Sequence, residues 1–128
     1  MEAAFEIDVD PVASLVKMKL SGFFTAESFA ALVAARAVAF RRLRCGPNQH
    51  LSLTDIRAMK IQSQEMVATF STMLADPKMR SRRLAFVVAS SLARIQLQRA
   101  VGSREARFFT DPVEAERWVL TGDEAAAA

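Results

Sequence analysis

Near its start the chain reads Phe5-Glu6-Ile7-Asp8-Val9-Asp10, apolar and acidic residues in alternation. Alternation at period two predicts a strand with one buried and one wet face. Pro11 stops it. A second alternating segment, residues 15–20, sets Lys17 and Lys19 between Val16, Met18 and Leu20. The link 11–14 is short enough to predict an antiparallel hairpin. Ser21-Gly22 breaks this strand, and the period then changes. Thr25 is placed to N-cap a helix, with Glu27 in the first turn where the helix dipole favours an anion. Phe29, Leu32, Val33, Phe40 and Leu43 recur on one helical face. The helix is expected to carry Arg41, Arg42 and Arg44 in its last turns, before Cys45-Gly46-Pro47 ends it.

The remaining chain alternates strands with helices. Residues 50–56 predict a third strand with Leu51 and Leu53 inward, followed by a loop over 57–60. Ser63 stands at the start of a second helix with the face Met66, Val67, Phe70, Met73 and Leu74, and Asp76-Pro77 ends it. Residues 84–89, Leu-Ala-Phe-Val-Val-Ala, are apolar without alternation, which predicts a central parallel strand covered on both faces. Ser90-Ser91 is placed to cap a helix over 92–101. Residues 106–110 predict a fifth strand. Asp111-Pro112-Val113-Glu114 combines an N-cap, a proline at the first helical position and a capping-box glutamate. That last helix carries Val113, Trp118 and Val119, and Gly122 ends it.

The predicted order is β-β-α-β-α-β-α-β-α. It implies an α/β fold with a mixed five-stranded sheet flanked by four helices, and right-handed crossovers between parallel strands. Residues 1–122 are expected to form one domain and 123–128 a disordered tail. No internal repeat or linker is evident.

Composition narrows the class of function. The 128 residues are 52% hydrophobic and 24% charged, which suits one globular core. The net charge is +3, and thirteen of the seventeen basic residues are arginine. The denser basic runs, Arg41-Arg42-Leu43-Arg44 and Arg80-Ser81-Arg82-Arg83, are short, and acidic residues are mixed along most of the chain. A nucleic-acid partner is therefore not expected. One cysteine, Cys45, cannot form an internal disulfide. Residues 1–10 do not resemble a signal peptide, and no apolar run approaches the ~20 residues needed to cross a bilayer. A cytoplasmic location without a transmembrane segment is expected.

Several stretches resemble the SpoIIAA-like branch of the STAS-type, anti-sigma-factor antagonist-like family. They are Leu20-Ser21-Gly22-Phe23-Phe24-Thr25, Leu53-Thr54-Asp55-Ile56, the buried run 84–89, and Phe108-Phe109-Thr110-Asp111-Pro112-Val113-Glu114-Ala115-Glu116-Arg117-Trp118. The last is the most telling, since a terminal strand in that branch leads in this way into a short helix with Glu-Ala and a Trp. The resemblance implies a SpoIIAA-like fold. Members that switch bacterial signalling carry a phosphorylatable serine in an Asp-Ser-Ser-Gly turn entering the second helix. The counterpart here is Gln62-Ser63-Gln64-Glu65, in which only Ser63 matches. The resemblance also implies lipid or small apolar ligands, carried between sheet and helices in related folds.

Each candidate residue has a plain structural role beside a functional one. Ser63 is a candidate phosphoacceptor or an N-cap. Asp55, at the end of a strand beside the buried one, contacts a ligand or forms an ion pair with Arg57 or Arg36. Arg36 falls in the middle of the Phe29–Phe40 helical face, either as a charge facing a cleft or at the rim with its head wet. Met59, Met66 and Met73 group around the second helix as core filler or as the lining of an apolar cleft. Ile95 projects into the polar half of its helix with Arg94, Gln98 and Arg99. That makes a surface for another protein or for weak homo-oligomerisation.

Catalysis finds little support. His50 and Cys45 are the sole members of their kinds and have no companions at motif spacing, metal-ligand clusters are missing, and no glycine-rich phosphate loop follows a strand. Neither cofactor nor metal is expected. The sequence reads as a non-catalytic binding or regulatory module, acting through protein contacts or a small apolar-ligand cleft. The alternatives are a carrier of a lipid-like ligand and a small hydrolase-type enzyme using Asp55 and a serine.

Overall fold

The computed structural model describes residues 2–89, 91–101 and 106–122. The expectations for Ser90, Gly102 and the 123–128 tail lie outside them. Nine elements follow in order: β1 (Ala4–Asp10), β2 (Leu15–Gly22), α1 (Ala26–Phe40), β3 (Leu51–Met59), α2 (Gln64–Ala75), β4 (Arg83–Val87), α3 (Ser91–Val101), β5 (Arg107–Phe109) and α4 (Pro112–Thr121). The five strands form one sheet in the order β1-β2-β3-β4-β5. Only β1 and β2 are antiparallel, and the other pairs are parallel. This is the mixed α/β sheet that the element order implies.

The hairpin register follows from the alternation. Phe5, Ile7 and Val9 lie opposite Leu20, Met18 and Val16, and Glu6 and Asp8 lie opposite Lys19 and Lys17. Apolar pairs thus share one face and opposite charges the other, so both faces favour the same register. Three helices cover the apolar, front face. There Leu20, Phe24, Leu32, Ile56, Met66, Leu84, Phe86, Val88 and Val101 form the main core. On the back face α4 seals a second cluster of Leu15, Leu51, Leu53, Ala85, Val87, Phe109, Ala115 and Val119. Leu84, Ala85, Phe86, Val87 and Val88 are all buried, with side chains alternating between the two clusters. Helices on both faces account for the unbroken apolar run. The middle strand is β3, however, and β4 lies between β3 and β5.

Caps fix the helix ends. Thr25 and Ser28 form a reciprocal capping box at α1. Asp111 accepts from Val113 N–H at 2.9 Å, with Pro112 as the first residue of α4. Arg83 closes the other end of α4, donating to the Val119 and Leu120 carbonyls at 2.8 and 3.0 Å.

Three local expectations change. α1 stops at Phe40, so Arg41, Arg42 and Arg44 follow the helix instead of filling its last turn. Val33 is 40% exposed, and Leu32 and Ala39 are the buried residues of α1. Finally, β2 and β3 both run further than the pattern suggests. Ser21 pairs with Ala58 and Gly22 with Met59, past a register shift between Lys19 and Ser21. Gly22 has φ +78°, and a Cβ there would stand 2.1 Å from the Glu2 carbonyl oxygen. Glycine alone fits this close approach.

Candidate functional site

The front face of the sheet carries a row of non-core side chains on β3. Ser52 and Thr54 are buried and point the same way as Ile56, under α1 and α2. Beside Thr54 a cavity of about 70 Å³ opens between the sheet and the α2–α3 layer, lined mainly by Met18, Leu20, Ile56, Met59, Phe70, Met73 and Leu97. A water needs roughly 10–15 Å³ measured this way, and apolar cavities above that size stay dry until an apolar ligand enters.

Of the three grouped methionines, Met59 and Met73 line this cavity. Met66 lies in the main core beside it, 6% exposed. The second helix is therefore held to the core by Met66 and Leu74, while Met73 borders the hollow. The edge-to-face ring pairs Phe24–Phe70 and Phe29–Phe70, at 5.6 and 5.0 Å between centroids, close the end near the start of α1.

The mouth of the cavity is built by Gln62, which spacing did not single out. Its buried carboxamide accepts from Phe24 N–H at 2.8 Å and donates to the Gly22 carbonyl at 3.0 Å and to the Lys60 carbonyl. Gln96 of α3 holds the Gln62 main chain in turn. Gln62 stands between Ile61 and Ser63 and Gln96 between Ile95 and Leu97, settings that many surface positions share.

Ser63 caps α2, accepting from Met66 N–H at 3.0 Å, and is exposed. It stands directly after Gln62, at the lip of the cavity. Asp55 and Arg57 are placed elsewhere. Both project from the back of β3, where Arg57 holds the Asp55 carboxylate through Nε at 3.0 Å and Nη2 at 2.7 Å. Burial pushes the Asp55 pKa up, but the hydrogen bonds and charge of Arg57, with Lys19 nearby, outweigh it and hold the carboxyl below its ordinary value. Asp55 faces a separate shallow hollow with Glu6, Asp8, Lys17 and Lys19. The sheet therefore separates Asp55 and Arg57 from the methionines.

Arg36 is on the front side. Its guanidinium lies over the Phe40 ring, 4.7 Å from the centroid, at the base of an open groove between α1 and α2. His50 is 4% exposed, and its ring packs against that of Phe40, with 4.7 Å between centroids. Cys45 is half-buried beyond the end of α1. On α3, Ile95 is 48% exposed as expected, but Leu92 joins it at 59% instead of facing the core. Arg94 lies over the Phe108 ring at 5.5 Å, and Gln98 and Arg99 are exposed. Among the described residues, no three His, Cys, Asp or Glu side chains gather as a metal site, and no helix is long and apolar enough to cross a membrane.

This combination, a mixed sheet with β1 antiparallel at its edge, three helices in front and one behind, is a SpoIIAA-like fold. An uncharacterised protein of the DUF3478 family with a SpoIIAA-like fold, from Shewanella loihica PV-4, shares it with a TM-score of 0.68. The match covers 91% of this chain and 93% of that one at 17% identity, a level that speaks to fold alone. No family model and no curated protein matches the sequence.

Proposed function

We propose that the protein is a non-catalytic binding module whose working part is the apolar cavity between the front of the sheet and α2–α3. The observation that carries this reading is the cavity itself, bordered by two adaptable methionines. Native interiors rarely leave such space unused. Methionine side chains reshape around varied apolar guests. Ser63 at its lip, capping α2, would let occupancy of the cavity alter the helix surface offered to another protein.

A second surface supports protein contact directly. Leu92 and Ile95 lie one turn apart on α3, both about half exposed or more, with Arg94, Gln98 and Arg99 around them. Apolar side chains set in a polar rim fit a protein partner or a second copy.

The test uses the full chain and a polarity-sensitive apolar fluorescent probe. Wild type should bind the probe at one site, and Met73→Trp, which fills the cavity, should weaken binding at least tenfold without lowering the melting temperature. Equal binding by the two proteins, or none by either, would defeat the cavity reading.

A further inference from the structure

We infer that the groove between α1 and α2 is a second entrance to that cavity and takes an amphipathic carboxylate, its head on Arg36 and its hydrocarbon part against Phe29, Val33 and Met73. This deepens the binding-module reading and rests on it.

The groove holds about 900 Å³, and its walls are largely apolar: Phe29, Val33 and Ala37 from α1, Met73 from α2 and Met79 beyond it. Two of the three hydroxyls that border it are spent on their own helix, since Thr69 donates to the Glu65 carbonyl at 2.9 Å and Thr72 to the Ala68 carbonyl at 3.1 Å. Asp76 also borders the groove, and the other charged side chain in this wall is Arg36. Its Nε is buried and makes no hydrogen bond, and among the described residues it has no ion pair. The carboxylate that acts on it at longer range, Asp76, already accepts from Lys78 N–H at 3.0 Å. Burial draws the Arg36 pKa down and Asp76 only offsets part of it, as for a cation short of a counter-ion. A half-buried guanidinium without an anion is an expensive thing to keep in an apolar wall. An incoming carboxylate would take its fork of donors and remove that cost.

The hollows adjoin one another. Arg36 also borders a small space of about 20 Å³ with Ser52, Thr54 and Arg80. That space shares Met18, Thr54, Met73 and Leu74 with the apolar cavity. From outside inward the lining runs from a largely apolar groove, through a neck with Arg36, Ser52 and Thr54, to a mainly apolar end. Charge complementarity selects the occupant. A cation would be repelled by Arg36 and Arg80, and a neutral alcohol would leave the guanidinium unpaired.

Calorimetric titration of the full chain with decanoate and with 1-decanol, each below its aggregation limit, separates the possibilities. Wild type should bind decanoate at least tenfold more tightly than decanol. Arg36→Met should bring decanoate to within about threefold of decanol while leaving decanol affinity unchanged, and Arg36→Lys should keep part of the preference. Thermal melting of both variants verifies the fold. Equal affinity of wild type for the two ligands, or a preference for decanoate that survives Arg36→Met, would overturn the Arg36 assignment and leave the cavity reading standing. Binding of neither would overturn both.

Discussion

The carboxamide of Gln96 in α3 is bonded to both main-chain groups of Gln62: Gln62 N–H donates to Oε1 at 2.9 Å, and Nε2 donates to the Gln62 carbonyl at 2.7 Å. The Gln62 side chain reaches in the opposite direction, to Gly22, Phe24 and Lys60. One residue thereby ties the end of β2, the start of α1, the end of β3 and α3 together around the cavity mouth. The orientation of its amide is fixed by its partners, because Phe24 N–H can only donate and the two carbonyls can only accept.

Removing the Gln62 side chain leaves the buried Phe24 N–H without an acceptor, and such groups cost about 1–3 kcal/mol each. Gln62→Ala should lower unfolding stability by roughly 2–4 kcal/mol on that basis. Gln62→Glu should be no better, since a carboxylate cannot donate to the Gly22 and Lys60 carbonyls. Gln96→Ala should cost less, about 1–2 kcal/mol, because the Gln62 main chain lies nearer to water. Urea denaturation of the three variants measures this. A Gln62→Ala protein within about 0.5 kcal/mol of wild type would show that the network is dispensable.

This network also marks the limit of what the sequence conveys. Elements defined by local chemistry are legible: the uninterrupted apolar run at 84–87, the alternation of β1 against β2, and the Asp111-Pro112 start of α4. Each depends on residues within a few positions of one another. The misjudged points depend on partners far along the chain. Arg57 and Ala58 look like a loop because both are exposed, yet β3 continues through them, since Ser21 and Gly22 supply a paired neighbour. Arginine is a good helix former, so the pattern gives no sign that α1 ends at Phe40. Leu92 is as apolar as the buried residues of its helix but is 59% exposed. Gln62 bonds to residues 34 to 40 positions away, as well as to nearby Lys60. The candidate site shows the same division. The methionines were readable as a group around the second helix and Arg36 as an exception to a helical face, whereas the sheet that places Asp55 and Arg57 behind them was not.

The Asp55–Arg57 pair gives a pH dependence with a definite sign. Burial raises the Asp55 pKa, and Arg57 and Lys19 more than reverse it, so the folded value lies below the unfolded one near 4. A carboxyl of this kind stabilises the fold above its unfolded pKa, and the contribution is lost as pH falls through the folded value. Wild type should therefore melt higher than Asp55→Asn at pH 7, and the gap should close below about pH 4. Melting curves of both proteins from pH 7 to pH 2 test this. A gap that stays constant over the range would remove the pair from the acid response.

Ser63 presents its hydroxyl to Met66 N–H at the first turn of α2. Loss of such a cap costs about 1 kcal/mol, and aspartate at the same position both caps and complements the helix dipole. Ser63→Ala should be destabilised by about 1 kcal/mol and Ser63→Asp should stay close to wild type, as read by denaturant midpoints. A phosphate on Ser63 would place a dianion at the same helix start, so phosphorylation is expected to tighten α2, not to unfold it. If Ser63→Asp proves the less stable variant, the N-terminus of α2 does not tolerate negative charge and a phosphoacceptor role becomes untenable.

Leu92 and Ile95 offer an apolar contact one helical turn long on α3, 59% and 48% exposed. The area that two or three such side chains can bury is well below the roughly 1,600 Å² of a stable interface, so any association through them must be weak. The contact is apolar at its centre, since Arg94 is already engaged with the Phe108 ring. Salt should therefore strengthen association slightly or leave it unchanged, unlike an interface built on ion pairs. Sedimentation equilibrium should show concentration-dependent self-association of wild type only at high concentration. Ile95→Asp and Leu92→Asp should each abolish it, because a carboxylate at the centre of an apolar contact must be desolvated without a partner. Arg42→Asp, exposed beyond the end of α1, should leave it intact. A strict monomer at every concentration, or association that survives Ile95→Asp, would show that α3 is not the contact surface.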